Sequence, residues 1–174
     1  GWLRSHIAPA TVARTLGLAL VKNGFQPEVW GRHWPLLGRG QDLRQGAVPS
    51  GMGLRRFLER PAWVVIPWFS HAGVQLAVDA MAQGSVAIMR GTRDSFVAEY
   101  PGLVDLADSI DWFCAAGELV ATLRGLISRH ERAAENSRIV ARRIRVEHAV
   151  ATRLRSLIEM VRASQLRSAS KGNA

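Results

Sequence analysis

The chain has 174 residues, 48% of them hydrophobic and 21% charged, which is the composition of one ordinary folded domain with a real core. At this length roughly 70% of the unfolded surface is buried on folding, so neither disulfides nor a structural metal is needed, and the single Cys114 excludes a disulfide framework. The formal charge of +9 is carried by the last third: from Arg124 onward there are 12 Lys or Arg against four Glu, while residues 1–123 are close to neutral. Only Lys22 and Lys171 are lysines. Arginine suits bidentate phosphate contacts, although a skewed genomic composition produces the same bias.

In chain order, the spacing of Val12, Leu16, Leu20 and Val21 predicts a helix from Ala10 to Asn23 with Gly24 as its stop. A short strand is expected at Glu28–Gly31, then a long Gly- and Pro-rich loop over Gly31–Gly53 and a short helix over Leu54–Arg60. Ala62 to Pro67 reads as a buried strand. A turn-like segment, Trp68 to Gly73, then leads into an alanine-rich helix over Val74–Gln83 that ends at Gly84. Ser85–Met89 is a further apolar strand, Arg90–Arg93 a loop, and Asp94–Tyr100 a helix.

Weaker strands are expected at Leu103–Asp105 and Ser109–Trp112, and a helix carrying Leu119, Leu123 and Leu126 runs to about His130. The remainder reads as helical. Its last part, from about His148 to Arg162, sets Val150, Leu154, Leu157, Ile158 and Val161 opposite an arginine face. Short apolar strands alternating with helices indicate an α/β fold, a Rossmann-like three-layer parallel sheet with a helical C-terminal tail. The boundary is drawn between residues 1–145 and a basic tail, 146–174. No strand precedes the first helix, so a truncated chain, or one separated half of something larger, is the expectation. No stretch is apolar for the length of a membrane span, and a cytoplasmic location is expected.

The chemistry-bearing stretch is Gly46–Gly91. A strand, a turn and a glycine-led helix present free backbone N–H groups and the positive end of the helix dipole to an anion, and phosphate is the natural guest. Asp79, two turns further on, could accept hydrogen bonds from the hydroxyls of a sugar ring. Other readings stay open beside these. Ser70 can simply cap the helix, Asp79 can be solvated, and Arg90 and Arg93 can be ordinary surface arginines at the edge where such sheets bind ligands. Trp30, Trp34 and Trp68 can stack on a base or only pack. The five histidines are scattered without metal spacing, so no metal is expected, and the absence of a Gly-x-x-x-x-Gly-Lys loop excludes P-loop nucleotide hydrolysis.

The order Gly46-Ala47-Val48-Pro49, Leu54, Ala62-Trp63-Val64-Val65-Ile66-Pro67, Gly73, Asp79-Ala80-Met81-Ala82-Gln83-Gly84 and Val86 resembles the carboxyl-terminal half of GT-B glycosyltransferases. Arg14, Val29-Trp30-Gly31, Trp34, and His148 with Arg153 resemble landmarks of the spore-maturation CgeB-like branch and related group-one transferases. The resemblance implies transfer of a sugar from a nucleotide-diphosphate sugar to an acceptor. It requires no cofactor beyond that donor substrate. It implies donor contacts at Val48, Pro49, Ser70, Ala72, Gly73, Val74, Asp79, Arg90 and Arg93, with His71 in the catalytic position.

Retaining members carry glutamates where His71 and Asp79 stand here. The resemblance further implies that an amino-terminal Rossmann domain or separate subunit supplies the acceptor side, and that the chain alone is inactive. The alternative is a non-catalytic nucleotide-binding module or a basic helical interaction module. Nucleic acid is the less favoured partner, and peripheral membrane contact would run through the basic tail.

Overall fold

A computed structural model describes residues 8–28, 58–59, 63–148, 152 and 158–159. The elements are α1 (Ala8–Lys22), β1 (Trp63–Ile66), α2 (His71–Ala82), β2 (Val86–Arg90) and α3 (Arg93–Glu99), followed by a 3-10 turn (Pro101–Leu103). Then come α4 (Val104–Ala107), β3 (Asp111–Phe113), α5 (Ala116–Ser128) and α6 (His130–Glu147). The three strands form one parallel sheet in the order β1-β2-β3, with Trp63 opposite Val86, Ile66 opposite Met89 and Arg90 opposite Phe113.

Alternation along the strands divides the core in two. Trp63, Val65, Val86, Ile88 and Phe113 pack with Leu16 and Leu20 of α1 and with Leu119, Leu123 and Leu126 of α5. Val64, Ile66, Ala87, Met89 and Trp112 face the other way, onto Val74, Ala77 and Met81 of α2, Phe96 of α3, Leu106 of α4 and Ile144 of α6. A sheet covered on both faces has no polar alternation, which is why its strands read as continuous apolar runs. Phe96, Leu106, Leu119 and Ile88 have no exposed surface. Burying each such side chain is worth roughly 1.5–3 kcal/mol.

The helix ends follow local chemistry. Ser70, in extended backbone, accepts a hydrogen bond from the Gly73 N–H at 3.1 Å and caps α2, so the helix starts at His71, three residues before the expected Val74. At the other end Gly84 takes a positive φ of 91°, its N–H reaching Met81 O while that of Ser85 reaches Ala80 O. This pair of bonds is the Schellman closure that a residue without Cβ accommodates. The expected stop at Gly24 closes α1 with the same pattern, Gly24 N–H to Val21 O and Phe25 N–H to Leu20 O.

The expected strand at Leu103–Asp105 is instead the 3-10 turn and α4. Leu103, Leu106, Ala107 and Ile110 all pack in one core, and their i, i+3, i+4, i+7 spacing is helical rather than extended. β3 begins at Asp111, two residues later than expected, because Ser109 closes the turn after α4 through its N–H to Leu106 O. Of the expected strand at Glu28–Gly31, Glu28 lies in no helix or strand and the remainder lies outside the described residues. So does the loop over Gly31–Gly53. Of the expected helix over Leu54–Arg60, Leu58 is helical and buried, and its carbonyl accepts from Ser85 Oγ at 3.0 Å.

α6 crosses from one layer to the other. Near its start Ala133 belongs to the α1/α5 core, and near its end Ile144 belongs to the α2 core. Two arginines of the basic third fasten it: Arg145 Nε donates to Ala82 O at the end of α2, and Arg143 Nη2 donates to Asp105 O and Ser109 Oγ. The helix is continuous through residues 145 and 146. Of the expected amphipathic segment after His148, only Thr152, Ile158 and Glu159 are described; they are helical, and Ile158 is half exposed.

Gly73 and Gly125 give opposite expectations. A Cβ at Gly73 would stand 2.9 Å from Trp68 O and 3.1 Å from Ile66 Cγ2, so Gly73→Ala should lower stability by about 1–3 kcal/mol in chemical denaturation. Gly125, inside α5, has open space around it, and Gly125→Ala should raise stability by about 0.5–1 kcal/mol.

Candidate anion site at the carboxyl edge of the sheet

The strands of a parallel sheet end together, and ligands of open α/β sheets bind beyond those ends. Here the edge is formed by Pro67 to Ser70 after β1, Gly91 and Thr92 after β2, and Cys114 and Ala115 after β3. Gly73 lets the first turn of α2 press onto Ile66 and Met89, so the amino end of α2 stands directly at that edge. Gly91 lies against Phe69 and Trp112, which brings the loop after β2 beside the approach to α2.

The expected anion-binding N–H groups are fewer than the sequence suggests. Gly73 N–H is engaged by Ser70 Oγ and Val74 N–H by Ser70 O at 2.9 Å. The side chain of Val74 is buried in the core. Helix geometry leaves the N–H groups of His71 and Ala72 without an internal acceptor, and both residues are exposed. An anion at this end therefore meets two backbone donors, the positive end of the helix dipole and the His71 imidazole.

His71 is steadied by aromatic neighbours. Its Nδ1 lies 3.5 Å from Tyr100 Oη, and the two rings are 5.9 Å apart. Tyr100 in turn packs on Phe69 and Phe96, and Phe96 on Trp112. Partial burial, with the Glu99 carboxylate adding to it, pushes the Tyr100 phenol above its ordinary value, so it stays protonated at neutral pH. Sequence reasoning missed Tyr100, Phe69 and Gly91. The i, i+4 pair of Phe96 on α3 and Tyr100 at its C-cap was the available signal.

The two arginines behave differently. Arg90, the last residue of β2, turns toward the end of β3, where Nε donates to Cys114 O at 3.3 Å. Cys114 Sγ lies 3.5 Å from Gly91 O, and its N–H donates to Glu118 Oε2 at 2.6 Å. Arg93 is held by Asp108, Nε to Oδ1 at 2.6 Å. Hydrogen bonding and charge from Asp108 raise the Arg93 value, and the same contacts hold the Asp108 carboxyl below the usual carboxylate range. Arg93 thus has a structural partner, whereas Arg90 remains at the edge.

Asp79 lies eight residues beyond His71, roughly 12 Å along the axis at 1.5 Å per residue. At about 100° per residue it falls on the side of α2 opposite the buried set Gly73, Val74, Ala77, Ala80 and Met81. Gln75 Nε2 donates to its Oδ1 at 3.0 Å. A ligand reaching both His71 and Asp79 would lie along the outer surface of α2. Val48 and Pro49 fall outside the described residues, as do Trp30 and Trp34, while Trp68 is exposed at the edge.

The opposite edge differs in character. A depression of about 430 Å³ is lined there by Trp63, Val86, Ile127, His130, Ala133 and Ser137 among others, and is mostly apolar. At the start of β3 the half-buried Asp111 carboxyl is pushed above its ordinary range by burial, with Arg129 partly offsetting the effect. Among the described residues no helix is long and apolar enough to cross a membrane. No family model matches the chain, and no curated protein or solved structure matches it either.

The Arg93–Asp108 pair fixes a pH dependence. Because the folded value of Asp108 is depressed, its contribution is present above the ordinary carboxylate value and is lost as pH falls through the lowered one. Carboxyl-carbon NMR should show Asp108 titrating below the usual carboxylate range, and Arg93→Ala should return it toward that range.

Proposed function

We propose that the amino end of α2 binds the diphosphate of a nucleotide sugar, and that the chain is the donor-binding half of a GT-B glycosyltransferase of the CgeB-like kind. The observation that carries this reading is the Ser70-capped first turn of α2, seated on the sheet by Gly73 and opening its His71 and Ala72 N–H groups at the carboxyl edge. Support comes from the parallel β1-β2-β3 order with helices on both faces, and from the residue order that resembles the family.

The work assigned to this site is electrostatic. Departure of a nucleoside diphosphate puts negative charge on the leaving oxygen, and donors already fixed in place stabilise that charge as it forms. The His71 and Ala72 N–H groups would take the phosphate oxygens, with the His71 imidazole beside them and Arg90 across the edge. Asp79 would hold the ribose hydroxyls. His71 in place of a glutamate changes the chemistry near the donor sugar from acceptor to donor, so its role is contact with phosphate or sugar oxygen. The acceptor, and the group that activates it, would come from a partner domain or subunit.

The alternative, a basic helical interaction module, rests on arginines of the tail that lie outside the described residues, while Arg143 and Arg145, just before it, fasten α6 to α4 and α2.

Thermal-shift measurements with nucleoside diphosphates and their sugar conjugates test the proposal. A ligand at 100 times its dissociation constant should add about 2.7 kcal/mol, and no stabilisation by any of them would remove the reading. Charge-assisted bonds from Asp79 are worth about 1.5–3 kcal/mol, so Asp79→Ala should weaken binding about 10- to 150-fold in calorimetry while the domain stays folded. The 174 residues alone should bind donor without transferring its sugar, and measured turnover with a simple acceptor would contradict the assignment of the acceptor side to a partner.

A further inference from the structure

The end of α6 gathers a second set of ligating groups, on elements other than those that form the anion site. His148 caps the helix, with φ −104° and ψ 6°, and its N–H bonds to Ile144 O. Leaving helical geometry there, its imidazole meets α4, where Nε2 lies 2.7 Å from Asp105 Oδ2. Glu147, the last residue of α6, brings a second carboxylate. One ligand atom from each of Asp105, Glu147 and His148 lies within 4.8 Å of the others.

We propose that Asp105, Glu147 and His148 form a site for a divalent first-row cation of the Zn²⁺ class. One imidazole and two carboxylates are a donor set that zinc accepts, at about 2.0–2.2 Å from each atom. Tetrahedral ligands at that range stand roughly 3.3–3.6 Å apart. The three atoms therefore need to separate or close by small side-chain rotations, the His148–Asp105 contact opening as the cation enters. Two carboxylates neutralise its charge, and the end of a helix adds partial negative charge.

The surroundings fit a site open to solvent. The imidazole is the shielded ligand, its side chain 10% exposed, whereas Asp105 and Glu147 face solvent. Three protein ligands leave a fourth position for water. Arg143 is the opposing charge: it sits on the main-chain carbonyl of Asp105 rather than on its carboxylate, which leaves both Asp105 oxygens to the imidazole and the cation. No spacing in the sequence announces this set, because Asp105 lies about forty residues from its partners. The cation would bind α4 to the end of α6, on a contact the fold already makes.

The test is calorimetric titration of the chelator-treated full chain with Zn²⁺. One saturable equivalent should bind, at least tenfold more weakly in Glu147→Gln and not at all in His148→Ala. Glu147 is exposed, so Glu147→Gln keeps the fold and stands as the decisive variant if His148→Ala does not fold. The Co²⁺-loaded chain should show the visible absorption of a four-coordinate N/O site, absent in Asp105→Asn. Zn²⁺ binding that is absent, or unchanged in Glu147→Gln, would overturn the proposal, since the remaining histidines would then account for any uptake.

Discussion

A missing Cβ governs the arrangement of this domain. At Gly73 the first turn of α2 comes so near the sheet that a methyl group would meet a main-chain oxygen at 2.9 Å and the side chains of Ile66 and Met89 at 3.1 and 3.3 Å. The nearest of these atoms is main chain and cannot swing away, whereas the Met89 methyl, the farthest of the three, is the end of a flexible side chain. The close approach puts Val74 and Ala77 into the core and sets the amino end of α2 at the carboxyl edge. Ser70 then completes the turn by satisfying the Gly73 N–H, so one short stretch supplies packing, capping and the exposed donors together.

The two ends of the sheet are chemically unlike. At the carboxyl edge, backbone N–H groups, His71 and Arg90 make an environment suited to an anion. At the other end, α6 is fastened by contacts that use arginine as a structural residue: Arg145 on the last carbonyl of α2, where the dipole is negative, and Arg143 on the Asp105 carbonyl of α4 and on Ser109 after it. The basicity of the last third thus has a partial explanation inside the fold. The steep salt dependence that phosphate-backbone binding brings is not expected of the proposed donor site, which has few contacts.

Much of the fold was legible because its signals are local. Gly24 and Gly84 stop their helices by the closure their positive φ allows, and the apolar runs at Trp63–Ile66 and Val86–Arg90 became adjacent parallel strands. The segment from Leu103 to Ile110 misled because a short run mixing Leu, Val and Asp fits strand and helix alike; only its packing against Phe96 and Met89 in one core decides. The expected start of α2 is late because the glycine reads as the opening of the helix; the Ser70 cap that the sequence also allows is the one formed, and the glycine answers to the sheet. In the candidate site, His71 and Ala72 were legible as residues after a strand and turn. The Tyr100 contact, the Arg93–Asp108 pair and the His148–Asp105 contact join residues 29, 15 and 43 positions apart, and no local pattern encodes such pairs.

The central claim is that the first turn of α2 is where this domain holds a phosphorylated ligand. Amide-resolved NMR titration with a nucleoside diphosphate tests it most directly, because each N–H reports its own surroundings. The largest shifts should fall on His71 and Ala72, followed by Gly91 and Asp79, with α6 unchanged. Shifts concentrated on the arginines of α6, or around the Trp63–Ile127 depression, with the start of α2 silent, would contradict the account.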